Sequence, residues 1–136
     1  MIAKLLVGFV LLVPYVALAA DSCKKTGTTL ELNECISEQV AFAERELSQY
    51  LEESRRHYAD EPRSIAALNK AQIAWLLFRK AHCDAIYEMW SGGTIRSAMY
   101  GRCMLEQTRR RTHDLWKAYL TFMDSTPPIL PEPRLQ

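Results

Sequence analysis

Four cysteines that follow a predicted export signal constrain this chain more than any other feature of its sequence. Residues 1–20 combine a basic start at Lys4, an apolar run from Leu5 to Val16 and a small-residue cleavage site that ends at Ala20. The apolar run is too short to span a bilayer, so we predict a signal peptide that is removed rather than kept as an anchor. Cys23 lies beyond the cleavage site, which argues against lipid attachment. We therefore expect a mature protein in the periplasm or outside the cell, without a membrane anchor.

The four thiols are expected to form two disulfides. An even number of cysteines in a short exported chain is typical of a disulfide framework, and the four are Cys23, Cys35, Cys83 and Cys103. In an antiparallel helix pair, residues equidistant from the turn lie opposite each other, and Cys83 and Cys103 are centred on Gly93. This symmetry favours Cys83–Cys103 together with Cys23–Cys35. The alternative pairing, Cys35–Cys83 with Cys23–Cys103, stays open. This is because the position opposite Cys35 across the turn at residues 60–62 is near Tyr87, which is one helical turn from Cys83.

Apolar residues recur with helical spacing along three segments of the chain. We predict a first helix that starts at Thr28 or Thr29 and ends near Tyr58. A second begins at Pro62, because proline suits a first helical turn, and the glycine-containing turn at residues 91–94 ends it. A third runs from about Ile95 to Met123. No segment alternates with period two, so the predicted fold is all-α: a small bundle of three helices, or four with a short N-terminal helix, stapled by two disulfides.

The end of the chain has a different composition from the rest. Residues 125–136 contain four of the six prolines, and proline cannot continue a helix. We predict a flexible, proline-rich tail over residues 125–136. Residues 21–124 then form one helical domain, small enough to benefit from covalent staples.

Charge balance argues against two classes of partner. The chain has 17 basic and 16 acidic residues, and one of the basic ones, Lys4, lies in the predicted signal peptide. Nucleic-acid-binding domains are usually strongly basic, so a nucleic-acid partner is not expected. The same neutral balance argues against adhesion to an anionic membrane. The run Arg109–Arg111 is too short to change this interpretation, because such runs usually lie on a solvated helix face.

Catalytic and metal-binding patterns are also missing from the sequence. His82, Cys83 and Asp84 include the residue types of a thiol catalyst, but neighbours on a helix point about 100° apart and cannot form a relay. The three histidines have no ligand spacing, and the chain has neither a CxxC pair nor an HExxH motif. We therefore expect a binding protein rather than an enzyme, with no catalytic residues, no metal and no cofactor.

The second helix carries an unusual row of side chains. Its spacing places Gln72, Trp75, Arg79 and Cys83 on one side of the helix. We predict that Trp75 and Phe78 anchor the core. Gln72 and Arg79 would form a structural polar clamp between helices, because buried polar groups need partners. Helix-end carbonyls or an acidic side chain such as Glu46 could be those partners.

The same helix contains a recognisable segment. Ala71-Gln72-x-Ala74-Trp75-x-x-Phe78-Arg79-x-Ala81-x-Cys83 resembles the LprI-like family of secreted bacterial proteins, named for a lysozyme inhibitor. The similarity extends to the early cysteine pair, the Gly92-Gly93-Thr94 turn and Cys103, and it covers nearly all of residues 23–119. Lys80 departs from the family, which usually has aspartate there. The resemblance implies a disulfide-stapled helical fold and a protein that binds lysozyme and inhibits it.

An inhibitor must fill a cleft in which lysozyme uses two carboxylates, one as an acid and one ionised. The best candidate for such a plug is the small, hydroxyl-rich turn between the second and third helices, flanked by Trp90 and followed by a cation; its residues are Ser91, Gly92, Gly93, Thr94 and Arg96. An ordinary helix–helix turn is the simpler interpretation of the same residues. The alternative function is an envelope interaction protein, such as an immunity protein that neutralises a secreted toxin. In either case the expected partner is a protein: lysozyme, or another peptidoglycan-active or toxic secreted protein.

Overall fold

The described part of the chain consists of three α-helices. The computed structural model describes Cys23 and residues 27–135. Within that part the helices are α1 (Thr29–His57), α2 (Pro62–Met89) and α3 (Arg96–Tyr119), and there is no strand. The predicted all-α fold is confirmed with three helices, the last of which ends at Tyr119 rather than Met123. The predicted signal peptide, residues 1–20, lies outside the described residues. None of the described helices combines the length and apolar composition that crossing a membrane requires.

Local sequence sets the start of α1. The Thr28 hydroxyl accepts a hydrogen bond from the backbone N–H of Glu31 at 3.2 Å, and the Glu31 carboxylate accepts one from the N–H of Thr28 at 3.1 Å. This reciprocal capping box satisfies two backbone donors that would otherwise lack a helical partner. Pro62 stands at the start of α2, as predicted from its fixed φ angle.

α3 is the central helix of the bundle. It packs extensively against both α1 and α2, whereas α1 and α2 make few contacts with each other. The main core cluster contains residues from all three helices and the segment after α3: Leu47, Tyr50, Leu51, Leu68, Leu115 and Leu120. Near the other end of α1, a Cβ added to Gly101 of α3 would lie 2.6 Å from Cγ2 of Ile36. Glycine at this position therefore permits the close approach of α1 and α3.

Both predicted disulfides are present. Cys23 bonds to Cys35 and Cys83 bonds to Cys103, with Cα–Cα distances of 5.7 Å and 5.6 Å respectively. The sequential pairing is confirmed and the crossed alternative is excluded. Cys83 is fully buried, and its bridge joins α2 to α3 across the hairpin that their connecting turn closes.

The proline-rich tail is not helical, but it lies against the bundle. The backbone N–H of Ile129 donates to the carbonyl of Leu120 at 2.9 Å. Trp116 Nε1 donates to the carbonyl of Leu130 at 2.9 Å, and the Tyr50 hydroxyl donates to the carbonyl of Pro131 at 2.6 Å. These contacts place residues 129–131 beside α1 and the end of α3. Proline excludes a helix here, but it leaves the backbone carbonyls free to accept hydrogen bonds from aromatic donors.

We predict that Tyr50→Phe lowers the free energy of unfolding by about 1 kcal/mol, because it removes the hydrogen bond to the tail. Urea denaturation of the oxidised protein would measure this. In a protein that lacks residues 126–136 the same substitution should cost almost nothing, since its acceptor is gone. An equal cost in both backgrounds would show that Tyr50 does not act through the tail.

Candidate functional site

The turn predicted to bind a partner lies at the end of the α2–α3 hairpin, and all of residues 91–94 are exposed. Backbone hydrogen bonds order it: the N–H of Ser91 donates to Glu88 at 3.0 Å, and that of Gly93 donates to Trp90 at 3.0 Å. A Cβ added at Gly92 would meet no atom within 4 Å. The turn is thus an ordered projection with open space around Gly92.

Apolar side chains flank the turn on both sides. Met89 is 77% exposed, Trp90 42% and Ile95 37%. We call residues 89–95 the tip surface. Aromatic residues and methionine are enriched at protein–protein interfaces, and tryptophan is frequent among the residues that dominate binding energy. The tip surface therefore combines small polar groups at its end with apolar side chains at its margin.

Arg96 lies beside the tip surface, but its charge has partners within the protein. Its guanidinium carbon is 3.7 Å from the centroid of the Tyr87 ring, a cation–π contact. Its Nη2 atom is 3.7 Å from Oε1 of Glu88, and about a third of its side chain is exposed. The cation predicted to follow the turn is therefore held against α2 rather than free in solvent.

The side chains of Gln72 and Arg79 lie inside the bundle, away from the tip surface. Nη1 of Arg79 donates to Oε1 of Glu44 at 2.9 Å and to the hydroxyl of Thr108 at 2.8 Å, so one guanidinium connects all three helices. The same group lies 4.8 Å from the centroid of the Trp75 ring. Nε of Arg111 donates to Oε1 of Gln72 at 3.0 Å.

Two sequence-based assignments in this region are wrong. The acidic partner of Arg79 is Glu44 rather than Glu46, because the crossing of α1 and α2 brings Glu44 to the guanidinium. Phe78 is not a core anchor: it is 54% exposed and stacks on His82, with ring centroids 5.5 Å apart. Trp75 is only partly buried, although it packs against the main core cluster. The physical reason is that α3 covers one side of α2 and α1 covers little of the rest.

Glu46 has different neighbours from those predicted. Partial burial raises the pKa of its carboxyl group, while the positive charges of Arg109 and Arg134 act in the opposite direction. The adjacent Tyr50 also has a raised pKa, because of burial and the charge of Glu46. Ionisation of the Glu46 carboxyl group is therefore less favourable in the folded protein than in solvent. Glu46 lies where α1, α3 and the tail meet.

A groove of about 570 Å³ separates α1 from α2. Leucine side chains contribute to its apolar lining, among them Leu47, Leu51 and Leu76, and Nε of Arg55 donates to Asn69 across it at 2.9 Å. The groove exists because α1 and α2 barely touch. One feature of the sequence indicates this groove, namely the excess of large apolar residues on α2. Ile73, Leu76, Leu77 and Phe78 cover more than one helix face.

The described residues offer no reactive thiol, since Cys83 is in a disulfide. They also contain no group of three or more histidine, cysteine, aspartate or glutamate side chains arranged to hold a metal ion. The described surface offers hydrogen bonds from the turn, apolar contact around it and an apolar groove.

A sequence model of the family described as "Lysozyme inhibitor LprI" matches residues 19–115. The matched range includes both disulfides, the contacts of Arg79 with Glu44 and Thr108, and the tip surface. An uncharacterized protein of Rhizobium meliloti (strain 1021) is 27% identical over 104 residues, which cover 68% of this chain and 75% of that protein. No solved structure matches the chain.

Arg79→Met is expected to lower the free energy of unfolding by roughly 1–3 kcal/mol, because it leaves Thr108 and Glu44 without their shared donor. Arg110→Met is the matched control, since Arg110 pairs with Glu106 on the exposed surface of α3. Its cost should stay below about 1 kcal/mol. Similar losses of stability in the two variants, measured by urea denaturation, would show that Arg79 does not connect the helices as described.

Glu46→Gln is expected to stabilise the protein at neutral pH. A carboxyl pKa that is higher in the folded state means that the folded protein binds more protons, so stability falls as the pH rises through that pKa. Glutamine removes this penalty, and its advantage should shrink as the pH falls below about 4, where glutamate is protonated in both states. Melting temperatures at pH 7 and pH 4 would test this, with the exposed Glu52→Gln as control. A variant less stable than wild type at pH 7 would contradict it.

Proposed function

Since the chain belongs to the lysozyme inhibitor LprI family, we propose that it acts in the periplasm or outside the cell, where it binds lysozyme and inserts the tip surface into the active-site cleft. The observation that carries this proposal is an ordered, exposed turn with glycines at its end and apolar side chains at its margin, within the range that the family model matches. The consequence of binding is that peptidoglycan no longer reaches the two carboxylates that cleave it.

The chemistry of the turn suits such a cleft. Ser91 and Thr94 have hydroxyl groups that can donate hydrogen bonds to an ionised carboxylate, and hydrogen bonds to charged groups are stronger than neutral ones. Gly92 and Gly93 add no side-chain bulk, so the backbone can approach the floor of the cleft closely. Trp90 and Met89 would contact the cleft margin, where burial of apolar surface supplies affinity.

The contacts that hold the turn in place reduce the loss of conformational entropy on binding. The Cys83–Cys103 bridge holds the two helices together behind it, and Arg96 is already ordered against Tyr87. A loop held in one conformation loses less freedom when it binds. In this proposal Arg96 stays against Tyr87 and supplies positive potential to the cleft carboxylates from that position.

We expect the oxidised mature protein to behave as a competitive inhibitor. With a soluble oligosaccharide substrate it should raise KM and leave kcat unchanged, because it occupies the substrate cleft. Arg96→Ala should weaken inhibition about thirtyfold or more, since truncating one partner of a desolvated charged contact costs roughly 2–5 kcal/mol. Gly92→Trp should weaken it as well without changing the melting temperature, because space around Gly92 is open only in the free protein.

Arg110→Ala is the matched control, because it removes the same charge from an exposed position on the same helix. It should change inhibition little. Equal inhibition by wild type, Arg96→Ala and Gly92→Trp would exclude the tip surface as the plug while leaving lysozyme inhibition intact. A wild-type protein that inhibits none of several lysozymes would favour the alternative envelope partner, a secreted toxin.

A further inference from the structure

The outer face of α2 is exposed and apolar. Leu77 is 70% exposed, and Ile73 and Phe78, on either side of it, are 62% and 54% exposed. A surface helix normally carries polar residues on its outer side. Large exposed apolar side chains grouped on one helix mark a candidate interaction surface.

Charge is distributed along this face with a definite polarity. Arg63, Lys70, Leu77 and Asp84 follow each other at intervals of seven residues, and they therefore share the outer face of α2. The N-terminal half carries Arg63 and Lys70, and the C-terminal half carries Asp84 and Glu88 together with one cation, Lys80, at the edge of the face. Leu77 lies midway between Lys70 and Asp84.

This pattern is complementary to itself in the antiparallel direction. If two α2 helices pair about a two-fold axis at Leu77, each Lys70 faces Asp84 of the second copy, because both are seven residues from the axis. The same operation brings the two Leu77 side chains together, and each Ile73 faces Ala81 of the second copy. A parallel arrangement would instead place like charges together.

We propose that the protein forms a symmetric dimer in which the outer face of α2 packs antiparallel against the same face of a second copy. This inference does not rest on the proposed function. Asp84 already pairs with Lys80 on its own helix, but such an exposed pair contributes little, so Asp84 remains available to a second cation.

The size of the face agrees with a dimer. A helix of 28 residues is about 42 Å long, and Ile73, Leu77 and Phe78 place large apolar side chains near its middle. Small residues such as Ala74 and Ala81 allow a partner helix to approach closely. An ordinary specific interface buries about 800 Å² on each partner, so side chains that flank the three large apolar ones must also take part in the contact.

The arrangement has a consequence for the tip surface. The tip lies at the C-terminal end of α2, so antiparallel pairing places the two tips at opposite ends of the dimer. The dimer presents two copies of the tip surface, and in this register Ser91 of each copy lies opposite Arg63 of the second.

Sedimentation equilibrium of the oxidised mature protein over a range of concentrations tests the proposal. The wild type should show a reversible monomer–dimer equilibrium, and Leu77→Glu should be monomeric with unchanged helicity. Leu30→Glu is the matched control, because Leu30 is 67% exposed on α1, and it should dimerise as the wild type does. A wild type that is monomeric up to millimolar concentration, or equal loss of dimer in both variants, would overturn the proposal.

The register is tested separately by charge reversal. Lys70→Asp and Asp84→Lys should each weaken the dimer roughly tenfold, and the double variant should recover most of the loss, because the attraction is restored with its sign exchanged. Leu77→Cys should form an intermolecular disulfide at the two-fold axis, identified by peptide mapping, whereas Leu30→Cys should not. A dimer without recovery in the double variant and without the Leu77→Cys cross-link would overturn antiparallel pairing at this position.

Discussion

α3 is the helix on which the arrangement of this protein depends, because α1 and α2 each pack against it and make few contacts with each other. Three kinds of interaction hold it in place: the close approach that Gly101 permits, the Cys83–Cys103 bridge, and the Arg79 guanidinium. A groove remains between α1 and α2, and the outer face of α2 remains uncovered. The surfaces available for binding are thus consequences of one helix serving as the packing partner of the other two.

Different residues of α2 stabilise the fold and contribute to the tip surface. Gln72 and Arg79 make hydrogen bonds inside the bundle, whereas the tip surface begins about 15 Å further along the helix. Gln72 and Arg79 are poorly placed to contact a partner, because their side chains are largely buried between the helices. Trp75 and Arg79 therefore contribute to the stability of the fold. The exposed residues near Gly92 form the surface proposed to contact lysozyme.

Charged and polar contacts in this protein cross element boundaries. Arg79 connects α1, α2 and α3, and Glu46 of α1 lies among charges of α3 and the tail. Hydrogen bonds from Tyr50 and Trp116 to tail carbonyls extend the same pattern. In a small bundle with a limited apolar core, such contacts fix the relative positions of elements that apolar packing alone would leave free to slide.

Features that depend on neighbouring residues could be predicted from the sequence by itself. The capping box at Thr28 and Glu31 and the proline at the start of α2 determine helix ends locally, and the symmetry of Cys83 and Cys103 about Gly93 follows once the hairpin is recognised. The tip surface could be placed in the same way, because a turn between two helices is exposed by its position.

Only the tertiary structure decided which helix faces are covered. Periodicity placed Trp75 and Phe78 on α2, but it could not show that α1 leaves Phe78 exposed. It could not distinguish Glu44 from Glu46, since the choice depends on the crossing of two helices far apart in sequence. Nor could it show that the tail docks, because its hydrogen bonds come from donors on α1 and α3. Helical spacing specifies which residues share a face, and the packing of distant elements determines what that face meets.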